Sequence, residues 1–324
     1  MHAKKFTFIF ISFFLILYTV LYLLYYLVNP EQVFAHSLTE KKFFYTKEYS
    51  RKQFEKLKEK KYTLIFGTSQ IHKISSKMMG SPVLNFHNLY GEPGDVINFL
   101  QQLDNKQIEN IDKIIFCIDL SADPGRKEGA LIDYYKPKFH YPILTKDKLF
   151  RLVQDIIYNN KAVSGHLNTD GSIEPLDPKE YHPIPAYPYE IVYPYDIKLI
   201  QGILAINTFA LAHNKKIIFC TPVTSEAYLK KIDFLKLSVF FTALLDGGIK
   251  RIKLFYYIPN MTDLKNNKSE YLAFMDPQHL NTYFVKQWLD EYILTDNAYV
   301  ISTHEELNLY IQQMRKIAES NSRM

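Results

Sequence analysis

Two short segments, far apart in the chain, carry side chains suited to nucleophilic catalysis. Ser69 lies in GTSQ (67–70), directly after an apolar run and before a helical stretch. Asp276 and His279 lie three residues apart in MDPQHLN (275–281), just before the last predicted core helix. A serine hydroxyl attacks a carbonyl carbon once a base takes its proton, and an imidazole oriented by a carboxylate is such a base. The pattern predicts a nucleophile, a general acid–base and an orienting carboxylate.

Both segments also fit an ordinary structural role. Thr68 or Ser69 is suited to cap the helix that follows. Asp276 is a suitable N-cap, Pro277 is favoured at the first helical position, and His279 then occupies the third. Capping and catalysis are compatible, because residues three apart at the start of a helix can face one another.

The order of these segments resembles the Ser-Gly-Asn-His hydrolase superfamily. GTSQ stands where that family has its nucleophile motif, and DPQH stands at its Asp-x-x-His motif. NLYGEPGD (88–95) is similar to the second block, whose glycine contributes a backbone N–H to the oxyanion hole. The resemblance covers roughly residues 62–120 and 196–295.

The resemblance implies a role for each matching residue. Ser69 would be the nucleophile, His279 the general acid–base and Asp276 its orienting carboxylate. The backbone N–H groups of Ser69 and Gly94 would bind the oxyanion, with Gly91 as the alternative to Gly94.

One block of the family pattern is missing. The third block normally carries an oxyanion-binding Asn after the third strand, but here residues 118–123 read IDLSAD. Loss of one such donor costs about 100- to 1,000-fold in rate in other enzymes. Either Ser121 or a backbone N–H would replace it, or the chain resembles a branch without that Asn.

The branch it resembles is the membrane-anchored one, which includes the alginate acetylation proteins and the D-alanyl transfer protein of teichoic acid modification. This implies transfer of an acyl group, expected to be acetyl, onto a hydroxyl of a cell-envelope polysaccharide. The expected partner is a multi-pass membrane acyltransferase. Hydrolysis uses the same chemistry with water as the acceptor, so a carbohydrate esterase is an alternative. A non-catalytic protein that binds glycan or a partner of an acylation complex is another.

Alternating strands and helices must position these residues. The alternation predicts an α/β fold of the flavodoxin-like, three-layer type with a parallel sheet. We expect strands at 63–67, 82–89, 113–120, 216–222 and 249–258, and helices at 71–79, 95–103, 197–212, 225–246 and 281–293. Active-site residues of such sheets lie at the carboxyl ends of the strands, which is where Ser69 falls.

An insertion over 121–195 interrupts the alternation within the predicted domain 62–295. Its Pro/Tyr-rich part, 182–196, is incompatible with a regular helix or a central strand. Four tyrosines there either stack on a sugar substrate or pack the insertion onto the domain, namely Tyr187, Tyr189, Tyr193 and Tyr195.

The first 30 residues predict a membrane anchor. The segment from Phe6 to Val28 has no charged residue, and as a helix it is long enough to cross a hydrocarbon core of about 30 Å. A cleavable signal peptide is the alternative, but its apolar region would be shorter and end in small residues. Lys4 and Lys5 place the N-terminus in the cytoplasm and the body in the periplasm or otherwise outside, although further lysines follow the span.

We expect a charge-dense stalk helix over 31–61 and a helical tail over 296–324. The stalk is expected to be solvated, with lipid headgroup contact through its lysines as an alternative.

Composition excludes several classes of function. The net charge of +5, from 39 basic and 34 acidic residues, is too small to suggest a nucleic-acid-binding protein. The sequence lacks a phosphate-binding loop, a dinucleotide fingerprint and zinc-ligand spacing, so we predict no cofactor and no metal. Cys117 and Cys220 occur in similar apolar runs and are expected to be buried, with a disulfide possible only if their strands are neighbours.

Overall fold

A six-stranded sheet organises the described part of the chain. The computed structural model describes residues 2–28, 53–87, 93–119, 146, 149, 152–153, 165–175, 197–258, 280, 282–295 and 299–320. The strands of this sheet are β1 Tyr62–Gly67, β2 Val83–His87, β3 Ile111–Cys117, β6 Lys216–Cys220, β7 Ile252–Lys253 and β8 Val300–Ile301. A separate antiparallel pair consists of β4 Gly165–Leu167 and β5 Ile173–Pro175.

The strand order in the sheet is β2-β1-β3-β6-β7-β8. The first five strands are parallel, and β8 pairs antiparallel with β7 at the edge. The parallel strands therefore run in the 2-1-3-4-5 order typical of flavodoxin-like sheets. In that order the chain reverses direction across the sheet between β1 and β3, and ligands of such folds bind at this point, beside the carboxyl ends of the strands.

Helices cover both faces of the sheet. They are α2 Ser76–Met79, α3 Pro93–Leu100, α4 Asn105–Glu109, α5 Ile197–Ala212, α6 Glu226–Leu229, α7 Phe234–Asp246, α8 Thr282–Gln287 and α9 His304–Ser320; the N-terminal α1 is His2–Val28. A π-helix, Trp288–Ile293, directly follows α8.

Alternate residues of the central strands face two separate cores. Phe66 and Phe116 belong to one core together with residues of α3, α5, α7 and α9. Ile65 and Ile115 belong to the other, which α8 and the turn after β1 complete. Every residue of β1 is buried, as expected of a parallel strand covered on both faces. The predicted α/β architecture with a mostly parallel sheet is confirmed.

Several predicted elements are shorter than expected. The helix predicted over 225–246 is divided, because the Asp233 side chain accepts hydrogen bonds from Leu235 N and Lys236 N and starts α7 there. The helix predicted over 71–79 is likewise interrupted at Ser75, which caps α2. The strand predicted over 249–258 keeps only Ile252–Lys253 in the ladder.

The end of the predicted stalk is part of the folded body. Phe54 and Leu57 are buried in the larger core, and the Phe54 ring stacks on Phe99 with centroids 3.9 Å apart. The predicted C-terminal segment is helical over α9 and also belongs to the folded body. It contributes β8, and α9 buries Leu307 and Met314 in the same core. The sparse apolar residues of these polar segments lie on the face that contacts the sheet layer.

Part of the predicted insertion packs beside β2. Asn85 N donates to Asp170 O at 2.8 Å, and Ile173 N donates to His72 O at 2.7 Å. The antiparallel pair β4–β5 is therefore held against an edge strand and against the turn that follows β1.

The two cysteines lie on neighbouring strands. Cys117 and Cys220 are register partners in β3 and β6, and both are buried free thiols. Burial, followed by the effects of Cys220 and Asp119, raises the pKa of Cys117 well above its ordinary value. Both cysteines therefore act as core residues.

The N-terminal helix α1 projects apolar side chains outward. Its segment Lys5–Val28, with a mean hydropathy of 2.4, is long enough and apolar enough to span a membrane. Near its end, Tyr25 and Val28 are buried in a small cluster with Leu152.

Candidate functional site

Ser69 lies at the carboxyl edge of the sheet, beside the point where the strand order reverses. β1 ends at Gly67, and Ser69–Ile71 forms a single 3-10 turn directly after it. The Ser69 residue is half-buried. A hydroxyl in this position sits where ligands reach doubly wound sheets.

The turn depends on glycine at position 67. Gly67 has φ +151°, and a Cβ atom there would lie 2.9 Å from Cys117 Cβ and 3.1 Å from Cys117 O. Any larger residue would therefore collide with β3. The glycine allows the start of the Ser69 turn to pass directly over the end of the neighbouring strand.

Thr68 joins the ends of β1 and β3. Its hydroxyl donates to Asp119 Oδ2 at 2.5 Å, across 51 positions of sequence, and makes no capping hydrogen bond to the turn. The capping role considered for Thr68 is thus not the one its side chain has. Instead, the half-buried carboxylate of Asp119, which follows β3, holds Thr68, the residue before Ser69.

The buried amide of Asn85 supports the turn that contains Ser69. Asn85 in β2 donates through Nδ2 to Ile71 O and to Ile74 O, both at 2.8 Å. Its Oδ1 accepts from His87 N at 3.0 Å and lies 3.3 Å from His87 Nδ1. One side chain therefore links the end of β2 to both ends of the chain segment that follows Ser69.

Two imidazoles lie next to the Ser69 turn. His72 Nδ1 contacts Ser69 O, and because a carbonyl oxygen only accepts, this nitrogen carries the proton. The His72 and His87 rings are 5.8 Å apart. Burial, and secondarily the neighbouring His72, lowers the pKa of His87 well below its ordinary value. His87 is therefore neutral at physiological pH.

A buried lysine connects the Ser69 turn to the late segment of the chain. Lys73 is 2% exposed, and its Nζ donates to Leu280 O at 2.6 Å. The two residues are 207 positions apart. Leu280 directly follows His279 in the sequence and is itself buried in the smaller core with Ile71 and Ile74.

The structure places two of the predicted site residues. Ser69 lies on the turn described above, and Gly94 lies exposed in the first turn of α3. This turn packs against α5, since a Cβ at Gly202 would come within 2.8 Å of Pro93 Cβ and 3.1 Å of Gly94 N. The remaining predicted site residues lie outside the described residues: Asp276, His279, Gly91, Tyr187, Tyr189, Tyr193 and Tyr195.

Sequence reasoning missed the polar residues at the ends of the neighbouring strands. Asp119 follows β3, His87 ends β2, and both meet the segment around Ser69. The signal was present, because parallel strand ends share one edge of a sheet and each of these residues ends an apolar run. Within the described ranges, no group of three or more His, Cys, Asp or Glu side chains could hold a metal ion.

Comparison with known proteins identifies no family for this chain. No protein-family model, no curated protein and no solved structure matches this chain.

Proposed function

We propose that the protein is a membrane-anchored, serine-dependent acyltransferase similar to the Ser-Gly-Asn-His hydrolases. It moves an acyl group, expected to be acetyl, through an ester on Ser69 to a hydroxyl of a cell-envelope polysaccharide. His279 acts as general acid–base and Asp276 orients it.

The observation that carries this proposal is the hydrogen bond from Lys73 to Leu280. It ties the residue after His279 to a residue four positions beyond Ser69. This contact brings Leu280, which follows His279 in the sequence, close to the stretch that follows Ser69, as a shared catalytic site requires.

The location of Ser69 gives independent support. The GTSQ turn follows β1 at the switch point of the sheet, and Gly67, Asp119 and Asn85 hold it by contacts from two other strands. A nucleophile needs such a rigid support, because small displacements of a reacting atom cost large factors in rate.

His279 accepts one proton and gives it back in each half of the reaction. In the first half, Ser69 Oγ loses its proton to His279 and bonds to the acyl carbon, and the donor's leaving group departs with that proton. In the second half, a sugar hydroxyl loses its proton to His279 and attacks the ester carbon. The Ser69 oxygen then leaves and recovers the proton.

Helix α1 supports a location at the membrane. We propose a single-pass anchor in the cytoplasmic membrane, with the N-terminus in the cytoplasm and the body outside, beside a multi-pass acyltransferase that delivers the acyl group. A reporter active only in the cytoplasm, fused after Met324, is expected to be silent. Strong reporter activity would overturn this orientation and the envelope substrate with it.

Labelling with a serine-reactive fluorophosphonate tests the enzyme proposal. The full-length protein in detergent micelles should be labelled, and Ser69→Ala should abolish labelling. His279→Ala should do the same while the protein stays folded, because the hydroxyl then has no base. Ser81→Ala is the matched control, since Ser81 precedes β2 at the opposite edge of the sheet. Unchanged labelling of Ser69→Ala would refute Ser69 as the nucleophile.

Product analysis separates a transferase from an esterase with the same triad. Mass analysis of surface polysaccharide from cells with and without the protein is expected to show more acyl groups when it is present. Fewer acyl groups would instead establish the esterase.

A further inference from the structure

Basic residues occupy the edge of the sheet opposite to the Ser69 turn. Three of the parallel strands begin beside two adjacent basic residues. These are Lys60 and Lys61 at β1, Lys215 and Lys216 at β6, and Lys250 and Arg251 at β7. Because β1, β3, β6 and β7 are neighbours in that order and all parallel, the three pairs share one edge, which we call the amino edge. With neighbouring strands about 4.8 Å apart, β1 and β7 are separated by about 15 Å.

The basic pairs are mostly exposed and lie close to one another. All of these residues except Lys215 are exposed. Lys215 Nζ donates to Ile111 O at 2.9 Å at the start of β3, which lies between β1 and β6. Burial, and secondarily the charge of Lys61, lowers the pKa of Lys215 below its ordinary value. The pairs of β1 and β6 are thus near enough to repel each other, so positive charge accumulates at this edge.

Acidic residues at the amino edge only partly offset this charge. Among the described residues beside the starts of β1, β3, β6 and β7, they are Glu59, Glu109, Asp112 and Asp246. Asp112 lies 4.0 Å from Lys113, and Asp246 lies 2.9 Å from His304 Nε2. Glu305 and Glu306 follow β8 and bound the basic surface on that side. The surface from β1 to β7 therefore carries more basic than acidic side chains.

The chain that leaves α1 joins the folded body at this edge. Residue 53 starts the turn that leads into β1, and Asn110, which precedes β3, holds that turn in place. Asn110 Nδ2 donates to Leu57 O at 2.7 Å, and Asn110 O accepts from Tyr62 N at 2.9 Å. Residues 29–52 connect this point to α1, which is long enough and apolar enough to span a membrane. Such a tether keeps the amino edge at a high effective concentration near the membrane surface.

We propose that the amino edge docks on anionic phospholipid headgroups of the membrane that holds α1. This docking rests on the proposed membrane location of α1 and is independent of the chemistry of Ser69. Clustered Lys and Arg side chains beside a membrane anchor bind anionic lipids by electrostatic attraction. β1 runs six residues from this edge to Gly67, about 20 Å at about 3.3 Å per residue. Docking therefore holds Ser69 on the side of the body that faces away from the bilayer.

Lysine reactivity in lipid nanodiscs tests this docking. The full-length protein is placed in discs of phosphatidylcholine alone, or of phosphatidylcholine and phosphatidylglycerol in equal amounts. A water-soluble acetylating reagent modifies exposed lysines, and mass spectrometry of peptides gives the reaction rate at each one. Lys231 is the internal control, because it is exposed and precedes α7. Since α7 ends just before β7 begins, its start lies at the carboxyl edge of the sheet, away from the proposed contact.

We expect slower acetylation of the amino edge in the discs that contain phosphatidylglycerol. The rates should fall by about fivefold or more, since each basic residue near an anionic surface strengthens binding by about that factor. The reporting residues are Lys60, Lys61, Lys216 and Lys250. Lys231 should react at the same rate in both discs. The difference should vanish at about 1 M salt, where the Debye length is about 3 Å.

Two charge-reversal variants locate the contact. Lys216→Glu/Lys250→Glu should restore fast acetylation of Lys60 and Lys61 in the discs that contain phosphatidylglycerol. Lys230→Glu/Lys231→Glu, which reverses an adjacent basic pair at the carboxyl edge, should leave the slow rates unchanged. Both variants replace exposed residues, and a midpoint of thermal unfolding equal to that of the wild type confirms the fold of each.

Several outcomes would overturn the docking. Equal rates at the amino edge in both discs would do so, and so would slow rates there in both, because the contact would not depend on anionic lipid. Slowing caused by a dissolved acidic polysaccharide, with no effect of phosphatidylglycerol, would assign the edge to a polymer. A protein that does not stay with the discs would overturn the proposed anchor. Absent fluorophosphonate labelling at Ser69 would overturn the proposed chemistry and leave the docking intact, so the failures are distinguishable.

Discussion

The bond between Thr68 and Asp119 should be measurable as a coupling between two strands. Thr68→Val keeps the shape of the side chain and removes the hydroxyl that donates to Asp119 Oδ2 at 2.5 Å. Hydrogen bonds to a charged partner contribute about 1.5–3 kcal/mol, and both residues here are half-buried. The free energy of unfolding of Thr68→Val should therefore fall by about 1.5–3 kcal/mol.

Urea unfolding of the full-length protein in detergent micelles measures this change. The single tryptophan, Trp288, is 1% exposed and packs edge-on against Phe255, so its fluorescence reports loss of the core. Thr208→Val is the matched control, because the Thr208 hydroxyl donates only to Leu204 O of its own helix and is exposed. This control should change stability by less than about 0.5 kcal/mol.

A double-mutant cycle with Asp119→Ala isolates the pair. If the hydrogen bond contributes as the geometry indicates, the double variant should lose less stability than the sum of the single variants, by about 1 kcal/mol or more. Additive effects within about 0.3–0.5 kcal/mol would show that the two side chains are energetically independent, and would refute the reasoning.

Two further predictions concern buried basic groups. His87→Gln should make the fold less sensitive to acid: because the folded-state pKa of His87 is lowered, the unfolded chain binds the proton more readily. In the wild-type protein, His87 therefore costs no stability above its unfolded-state pKa of about 6.5. Below that pH, the free energy of unfolding falls by up to about 1.4 kcal/mol per pH unit, which urea unfolding between pH 7 and 5 would show. Lys253→Met should cost about 2–3 kcal/mol in urea unfolding, since Lys253 Nζ donates to Tyr292 O, Ile293 O and Thr295 O at the end of the π-helix.

Each of these two predictions has an outcome that would refute it. A wild-type slope retained in His87→Gln would contradict the proposed origin of the acid sensitivity. Lys286→Met breaks an exposed ion pair with Asp290 and should cost only about 0.3–0.5 kcal/mol. Equal losses in the two lysine variants would show that Lys253 has no special role.

The elements of the sheet were largely predictable because their signals are local. The apolar runs that become β1, β3 and β6 are continuous, as burial on both faces requires, and α5 has the predicted bounds. Short ladders were not predictable. β7 pairs through only two residues, although the apolar run that contains it is much longer.

In the candidate site, the position of Ser69 was predictable because this residue directly follows a strand. The other contacts join residues that are far apart in the sequence, so they were not predictable. Asp119 reaches Thr68 because β1 and β3 are neighbours although β2 lies between them in sequence. Lys73 reaches Leu280 across 207 positions. Periodicity and capping are set by residues a few positions apart, whereas strand order and the pairing of buried polar groups are set by packing of the whole sheet.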